Sequence, residues 1–179
     1  MITKEEFFNK WLSKYLEFNN DQYKFQCMDI FWQYLQEVLN IPAFPYQGWG
    51  TAKNCYNNFS KIIGASDKFI LITNGPTNAP EPGDIVFWGT YLGVTGFAGH
   101  VAVCSSANVN NLVTFDQNYP TGAACRFVTH SYKGVMGWWH PKKISSMPQT
   151  DLLKAIREVV YSSASPQEKL DKLLKLLEK

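Results

Sequence analysis

Between Phe69 and Trp139 the chain carries five short runs of β-branched and aromatic residues: 69–72, 85–88, 100–104, 112–115 and one from Val135 to Trp139. Clusters of Gly, Pro, Asn and Asp separate them, so each run is a strand bounded by turns. An antiparallel meander is expected. Ahead of it the period changes. Thr3-Lys4-Glu5-Glu6 has the form of a capping box, and Phe7, Phe8, Trp11, Leu12, Tyr15 and Leu16 recur at helical spacing, predicting a helix over about 4–17. The polar patch Asn19-Asn20-Asp21-Gln22 breaks it, and a second helix begins near Cys27 with Ile30, Phe31, Tyr34, Leu35 and Val38 on one face. A shorter helical stretch is expected from Thr51 to Ile62. Helices first and an antiparallel sheet afterwards describe an α+β fold.

Beyond His140-Pro141 the composition shifts to Lys, Leu, Glu and Ser, with Tyr161 as the sole aromatic. The reading is a body over 1–142 and a helical appendage over 143–179. The appendage holds two short amphipathic helices, the second opening Ser165-Pro166-Gln167-Glu168 with Leu170, Leu173, Leu174 and Leu177 as its apolar stripe. So short a pair needs a surface to pack on: the body, another copy or a neighbour.

Composition narrows the function classes. Seventeen Lys and Arg against fifteen Asp and Glu give a net charge of +2, with the basic residues scattered, so there is no footprint for a nucleic-acid backbone. No apolar run is long enough to cross a bilayer, and Met1 to Lys10 lacks a secretory core, so the chain is expected to be made in the cytoplasm with Cys27, Cys55, Cys104 and Cys125 as free thiols. No C-x-x-C pair supports a zinc site.

Chemistry concentrates at two places. A thiol at a helix start has its anion favoured by unpaired amides and the helix dipole, and Cys27 has that placement. His100 opens a strand, Gly99-His100-Val101-Ala102-Val103, after a Gly-rich stretch that leaves backbone access to a cleft. Phe115-Asp116-Gln117-Asn118 lies on the next strand, where an antiparallel neighbour sets a carboxylate or an amide beside an imidazole. Nucleophile, base and orienting group then follow in the order Cys, His, Asp or Asn.

These pieces resemble a CHAP domain, the cysteine- and histidine-dependent amidohydrolase/peptidase family of bacteriophage endolysins and bacterial cell-wall hydrolases, with a papain-like α+β fold. The matching segments are Phe25-Gln26-Cys27-Met28-Asp29, Trp49-Gly50-Thr51-Ala52, Pro82-Gly83-Asp84-Ile85-Val86-Phe87, Gly99-His100-Val101-Ala102-Val103 and Asp116-Gln117-Asn118-Tyr119. Each is weak alone; five in order within 1–142 are strong. The resemblance implies Cys27 as nucleophile, His100 as general base and then acid, and Asp116 as the residue orienting it, with Asn118 as a further polar member of the site. Asp116 stands where Glu is commoner and Tyr119 where Trp is commoner, so the partner of the imidazole is left open between Asp116 and Asn118.

The same resemblance implies a peptidoglycan hydrolase, an amidase or endopeptidase working through a thioester, with the backbone N–H of Cys27 and the Gln26 side chain at the oxyanion. The setting would be the cytoplasm of an infected bacterium, with action on the wall after release. Two other readings keep the fold: a papain-like amidase with a non-wall substrate, and a binding or assembly domain of a phage tail with an idle thiol. No cofactor is required by the chemistry. Some phage members bind calcium just before and after the nucleophile, where this chain has Asn20, Asp21 and Asp29, oxygen donors with fewer carboxylates. Among the aromatics near the motifs, Trp49, Trp88, Tyr91, Phe97 and Tyr119, we expect Trp49 and Tyr119 to contact substrate.

Overall fold

In the computed structural model, residues 1–18, 23–42, 50–90, 96–142 and 149–177 are described. The chain divides into two compact units, Met1–Lys142 and Lys143–Lys179.

The first unit opens with α1 (Lys4–Trp11), which starts where its capping box predicts: Glu6 N–H donates to Thr3 Oγ1 at 3.1 Å and Thr3 N–H donates to the Glu6 carboxylate at 2.7 Å. It stops well short of residue 17. Ser13 has φ +62°, its N–H donates to the Cys125 carbonyl at 2.8 Å, and Cys125 N–H donates to the Lys14 carbonyl at 2.9 Å. Backbone groups that would have extended the helix are spent on a distant segment, and this overrides the local period.

α2 (Cys27–Glu37) buries Ile30, Phe31, Tyr34 and Leu35, one stripe at helical spacing, against the sheet. Phe31 packs edge-on to Phe87 at 5.9 Å and Trp139 at 5.5 Å. Removing a ring so enclosed costs about 3–5 kcal/mol. The third helical stretch is α3 (Ala52–Asn57) followed by a 3₁₀ turn (Phe59–Lys61), and a one-turn α4 (Ala65–Lys68) leads into the sheet.

Six strands form one antiparallel sheet: β1 (Phe69–Thr73), β2 (Ile85–Trp88), β3 (His100–Ala107), β4 (Asn111–Asp116), β5 (Arg126–Ser131) and β6 (Val135–Pro141), in the order β1-β6-β2-β3-β4-β5. The expected meander holds from β2 to β5 only. β6 returns to lie between β1 and β2, pairing Phe69 with Pro141 on one side and Ile85 with Trp139 on the other. β5 was not among the predicted strands, although Arg126-Phe127-Val128-Thr129-His130 carries the β-branched signal.

The sheet is apolar on both faces. Ile85, Phe87, Val101, Val103, Phe115 and Trp139 join the helices in the main core, while Val86, Trp88, Ala102, Cys104, Leu112 and Trp138 form a second cluster. Trp88 is wholly buried there, so it is core and not a groove wall. All four cysteines are free, as expected.

The second unit pairs α5 (Gln149–Val160) with α6 (Pro166–Leu177). Ser165 caps α6, its N–H donating to the Glu168 carboxylate at 2.9 Å. Leu170 and Leu174 are each half-exposed on that helix. Among the described residues, no helix is long and apolar enough to cross a membrane.

Candidate active site

Cys27 is the first residue of α2, and the backbone ahead of it is fixed by several independent ties. Asp29 closes the helix start by accepting the Gln26 N–H at 2.6 Å and the Phe18 N–H at 3.3 Å. Gln117, wholly buried, reaches in from the end of β4: its Nε2 donates to the Leu16 carbonyl at 2.8 Å and the Gln26 carbonyl at 3.0 Å, and its Oε1 accepts the Leu16 N–H at 2.6 Å. Asn118 then donates to Gln26 Oε1 at 2.9 Å. Residue 26 is held by main chain and side chain alike. Cys27 is thereby presented at a fixed angle.

His100 is the first residue of β3 and is 2% exposed. The residue before it must be glycine. Gly99 has φ +71°, and a Cβ there would sit 2.4 Å from the Trp88 carbonyl oxygen. His100 Nε2 lies 2.5 Å from Asp116 Oδ1, at the end of β4, with Asp116 fully buried. That leaves Nδ1 for the Cys27 sulfur, which is hydrogen-bonded to the ring. Thiol, imidazole and carboxylate therefore form one continuous chain across α2, β3 and β4.

Electrostatics follows from that burial. Desolvation pulls the imidazolium of His100 down, but the hydrogen bonds to Asp116 and Cys27 and the charges these carry when ionised outweigh it, and the pKa is pushed up to about 10. Burial likewise acts to raise Asp116, yet hydrogen bonds from His100 and His130, with their charge, hold it below the ordinary carboxylate value. The other carboxylate oxygen, Oδ2, accepts from the Thr114 hydroxyl and lies 3.4 Å from His130 Nε2. The ordering of Asp116 and Asn118 is thus resolved: Asp116 meets the imidazole and Asn118 meets Gln26.

A cleft of about 340 Å³ opens over Cys27, lined by Gln26, Met28, Trp32, Thr51 and Phe97 among others. Phe97 is 84% exposed and Tyr23, on the same rim, 68%. Tyr119, expected at the substrate, is not among the lining residues; its ring packs on His100 at 5.4 Å and His130 at 4.9 Å. Trp49 and Tyr91 lie outside the described residues, as do Asn20 and Asp21 of the calcium set. Asp29, the remaining member, is 5% exposed, and each of its carboxylate oxygens accepts a backbone N–H at the start of α2. Among the described residues no cluster of His, Cys, Asp or Glu is disposed to hold a metal.

Gln117, Thr114 and His130 were missed by the sequence reading. Gln117 was in view as the middle of the Asp116-Gln117-Asn118 run, and strand alternation turns it to the face opposite Asp116, toward the helices. His140, which matched no motif, pairs through Nδ1 with Asp84 at 2.7 Å, away from Cys27. Asp84 is the last residue of the Pro82-Gly83-Asp84 turn, and burial leaves its carboxyl above the usual value despite that partner.

A thiol at a helix start, facing an imidazole that a buried carboxylate holds at the first residue of an interior strand, is the arrangement of a papain-like cysteine hydrolase. The family model for the CHAP domain matches residues 18–118, more than half of the chain, and the chain belongs to that family. Solved structures agree in fold. The wild-type endolysin LysIME-EF1 is similar with a TM-score of 0.57 at 20% identity, over 82% of this chain and 68% of that one. Ly7917, in a crystal structure with the hydrolyzing product of MDP, is similar at 0.55 and 17% identity, over 75% of this chain and 60% of its own length. A second Ly7917 structure gives 0.54 and 18% over 78% and 62%. The chain therefore spans less than two thirds of Ly7917. No curated protein matches it by sequence.

Proposed function

We propose that the protein is a peptidoglycan hydrolase of the endolysin kind, cutting an amide bond of the bacterial wall with Cys27 as nucleophile. The observation that carries this is the Cys27–His100–Asp116 chain opening onto a cleft. Family membership and the endolysin folds support the wall as substrate. The expected site of action is the wall of an infected host, reached from its cytoplasm.

The proposed steps use that arrangement of residues. The Cys27 thiol proton passes to His100 Nδ1, and the sulfur attacks the amide carbonyl carbon. The carbonyl oxygen, now anionic, takes the Cys27 backbone N–H. Gln26 adds a second donor: its Nε2 spends one hydrogen on the Lys24 carbonyl at 2.9 Å, its Oε1 is fixed by Asn118, and the other hydrogen is left for the oxyanion. His100 returns its proton to the departing amine as the C–N bond breaks, leaving a thioester. Water, deprotonated by His100, then splits the thioester and restores the thiol.

Purified peptidoglycan digested with the wild type and with Cys27→Ala tests the reading. New amino ends and fragment masses distinguish an amidase, which frees the stem peptide from the lactyl group, from an endopeptidase, which cuts within the stem or bridge. Wall turnover by folded Cys27→Ala, or no turnover by the wild type, would falsify it.

A further inference from the structure

We infer that His130 is a positioning residue of the site, acting through Asp116, a role that rests on Cys27, His100 and Asp116 being the reacting set. Asp116 is a carboxylate with two imidazoles. Oδ1 meets His100 Nε2 at 2.5 Å and Oδ2 meets His130 Nε2 at 3.4 Å, with the Thr114 hydroxyl donating to the same Oδ2. His130 sits on β5 opposite Leu112, is 5% exposed, and is fixed by rings on two sides, Trp88 at 4.9 Å and Tyr119 at 4.9 Å.

A carboxylate held only by His100 would be free to turn about its χ2 and offer either oxygen, or both, to that ring. His130 and Thr114 saturate Oδ2, so Oδ1 is the oxygen committed to His100. The N–H of His130 also stabilises the ionised form of a group that has no water around it, and so keeps Asp116 anionic at the pH where His100 must hold a proton. The titratable groups facing this cluster are His100 on β3, Tyr119 beyond β4, and the Cys125 thiol, which feels the Asp116 charge.

The test compares His130→Phe, which keeps a ring between Trp88 and Tyr119 but has no N–H, with His130→Gln, which keeps an N–H near the same point. The readout is the rate of Cys27 alkylation by iodoacetamide, followed by mass spectrometry of the Cys27 peptide from pH 4 to pH 9, beside wall hydrolysis over the same range. In His130→Phe the acid limb moves up by about half to one pH unit, because a carboxylate short of one donor ionises at higher pH. His130→Gln keeps the wild-type limb. An unmoved limb in His130→Phe overturns the role, and so does an equal shift in both variants, which would reduce His130 to packing. Activity in Cys27→Ala would instead bring down the reacting set itself. Should His130→Phe not fold, the wild type still decides: ¹H–¹⁵N correlation must show a hydrogen on His130 Nε2, and a bare Nε2 facing Asp116 would end the inference.

Discussion

Asn118 donates from Nδ2 to Gln26 Oε1 at 2.9 Å, so the amide closing the Asp116-Gln117-Asn118 run serves the residue before Cys27 and leaves the His100 imidazole to Asp116. One three-residue stretch thus supports the His100 ring and the backbone ahead of Cys27 separately.

That division is measurable. A neutral hydrogen bond is worth about 1 kcal/mol, so Asn118→Ala should lower kcat/KM about fivefold to tenfold without moving the pH profile. Asp116→Asn, which leaves His100 in the wrong tautomer, should lower kcat by roughly a thousandfold or more. Steady-state hydrolysis of one defined wall peptide by both variants checks this, and equal losses would contradict the assignment.

The His100–Asp116 pair also predicts how stability follows pH. His100 is raised to about 10 in the fold, so its contribution is complete below its ordinary value and fades as the pH climbs through the folded one. Asp116 is lowered, so its contribution is complete above its ordinary value and is lost as the pH falls through the folded one. The pair therefore stabilises most between about pH 4 and pH 6.5. Urea unfolding of the wild type and His100→Gln should differ most in that window and converge toward pH 10. A gap that widens with rising pH would count against the pairing.

Gly99→Ala should be severe for so small a change. The added methyl meets the Trp88 carbonyl at 2.4 Å on a backbone with φ +71°. Left-handed strain alone costs about 1–3 kcal/mol, and the overlap must be relieved by moving either Trp88 or His100. Expected outcomes are a lower urea midpoint and a loss of activity larger than the loss of folded protein accounts for. Full specific activity in the folded fraction would show that His100 tolerates the shift.

Calcium gives a fourth expectation. Because both oxygens of Asp29 accept backbone N–H groups, EDTA and added calcium should leave the melting temperature and wall hydrolysis unchanged. Asp29→Asn should cost about 1 kcal/mol through the weakened start of α2. Activity lost in chelator and restored by calcium alone would place a cation among residues near 20 and 21.

How much of this was legible from the residues depends on whether the deciding contact is local. Cys27 at a helix start follows from the period of Ile30, Phe31, Tyr34 and Leu35, and three of the five expected runs, β2, β3 and β4, pair with their sequence neighbours as the turn spacing implies. The end of α1 is decided by Cys125 and Gln117, more than a hundred positions away, and no window of sequence contains them. The choice between Asp116 and Asn118 was hidden for a different reason. Two residues apart on a strand they would share a face, but β4 ends at Asp116 and Asn118 has φ +61°, which turns its side chain out of that alternation. His130 went unseen because a lone histidine on an unpredicted strand shows nothing of the carboxylate it meets.

The late insertion of β6 sets a hard limit on trimming. Residues 135–141 pair with both β1 and β2, so a truncated chain ending before Val135 would split β1 from the sheet and strip Phe69–Thr73 of its strand partner. Such an orphaned ribbon, rich in Ile and Leu, is an open template for self-association. A fragment meant to keep the Cys27–His100–Asp116 arrangement should therefore end no earlier than Lys142, even though all three residues lie upstream.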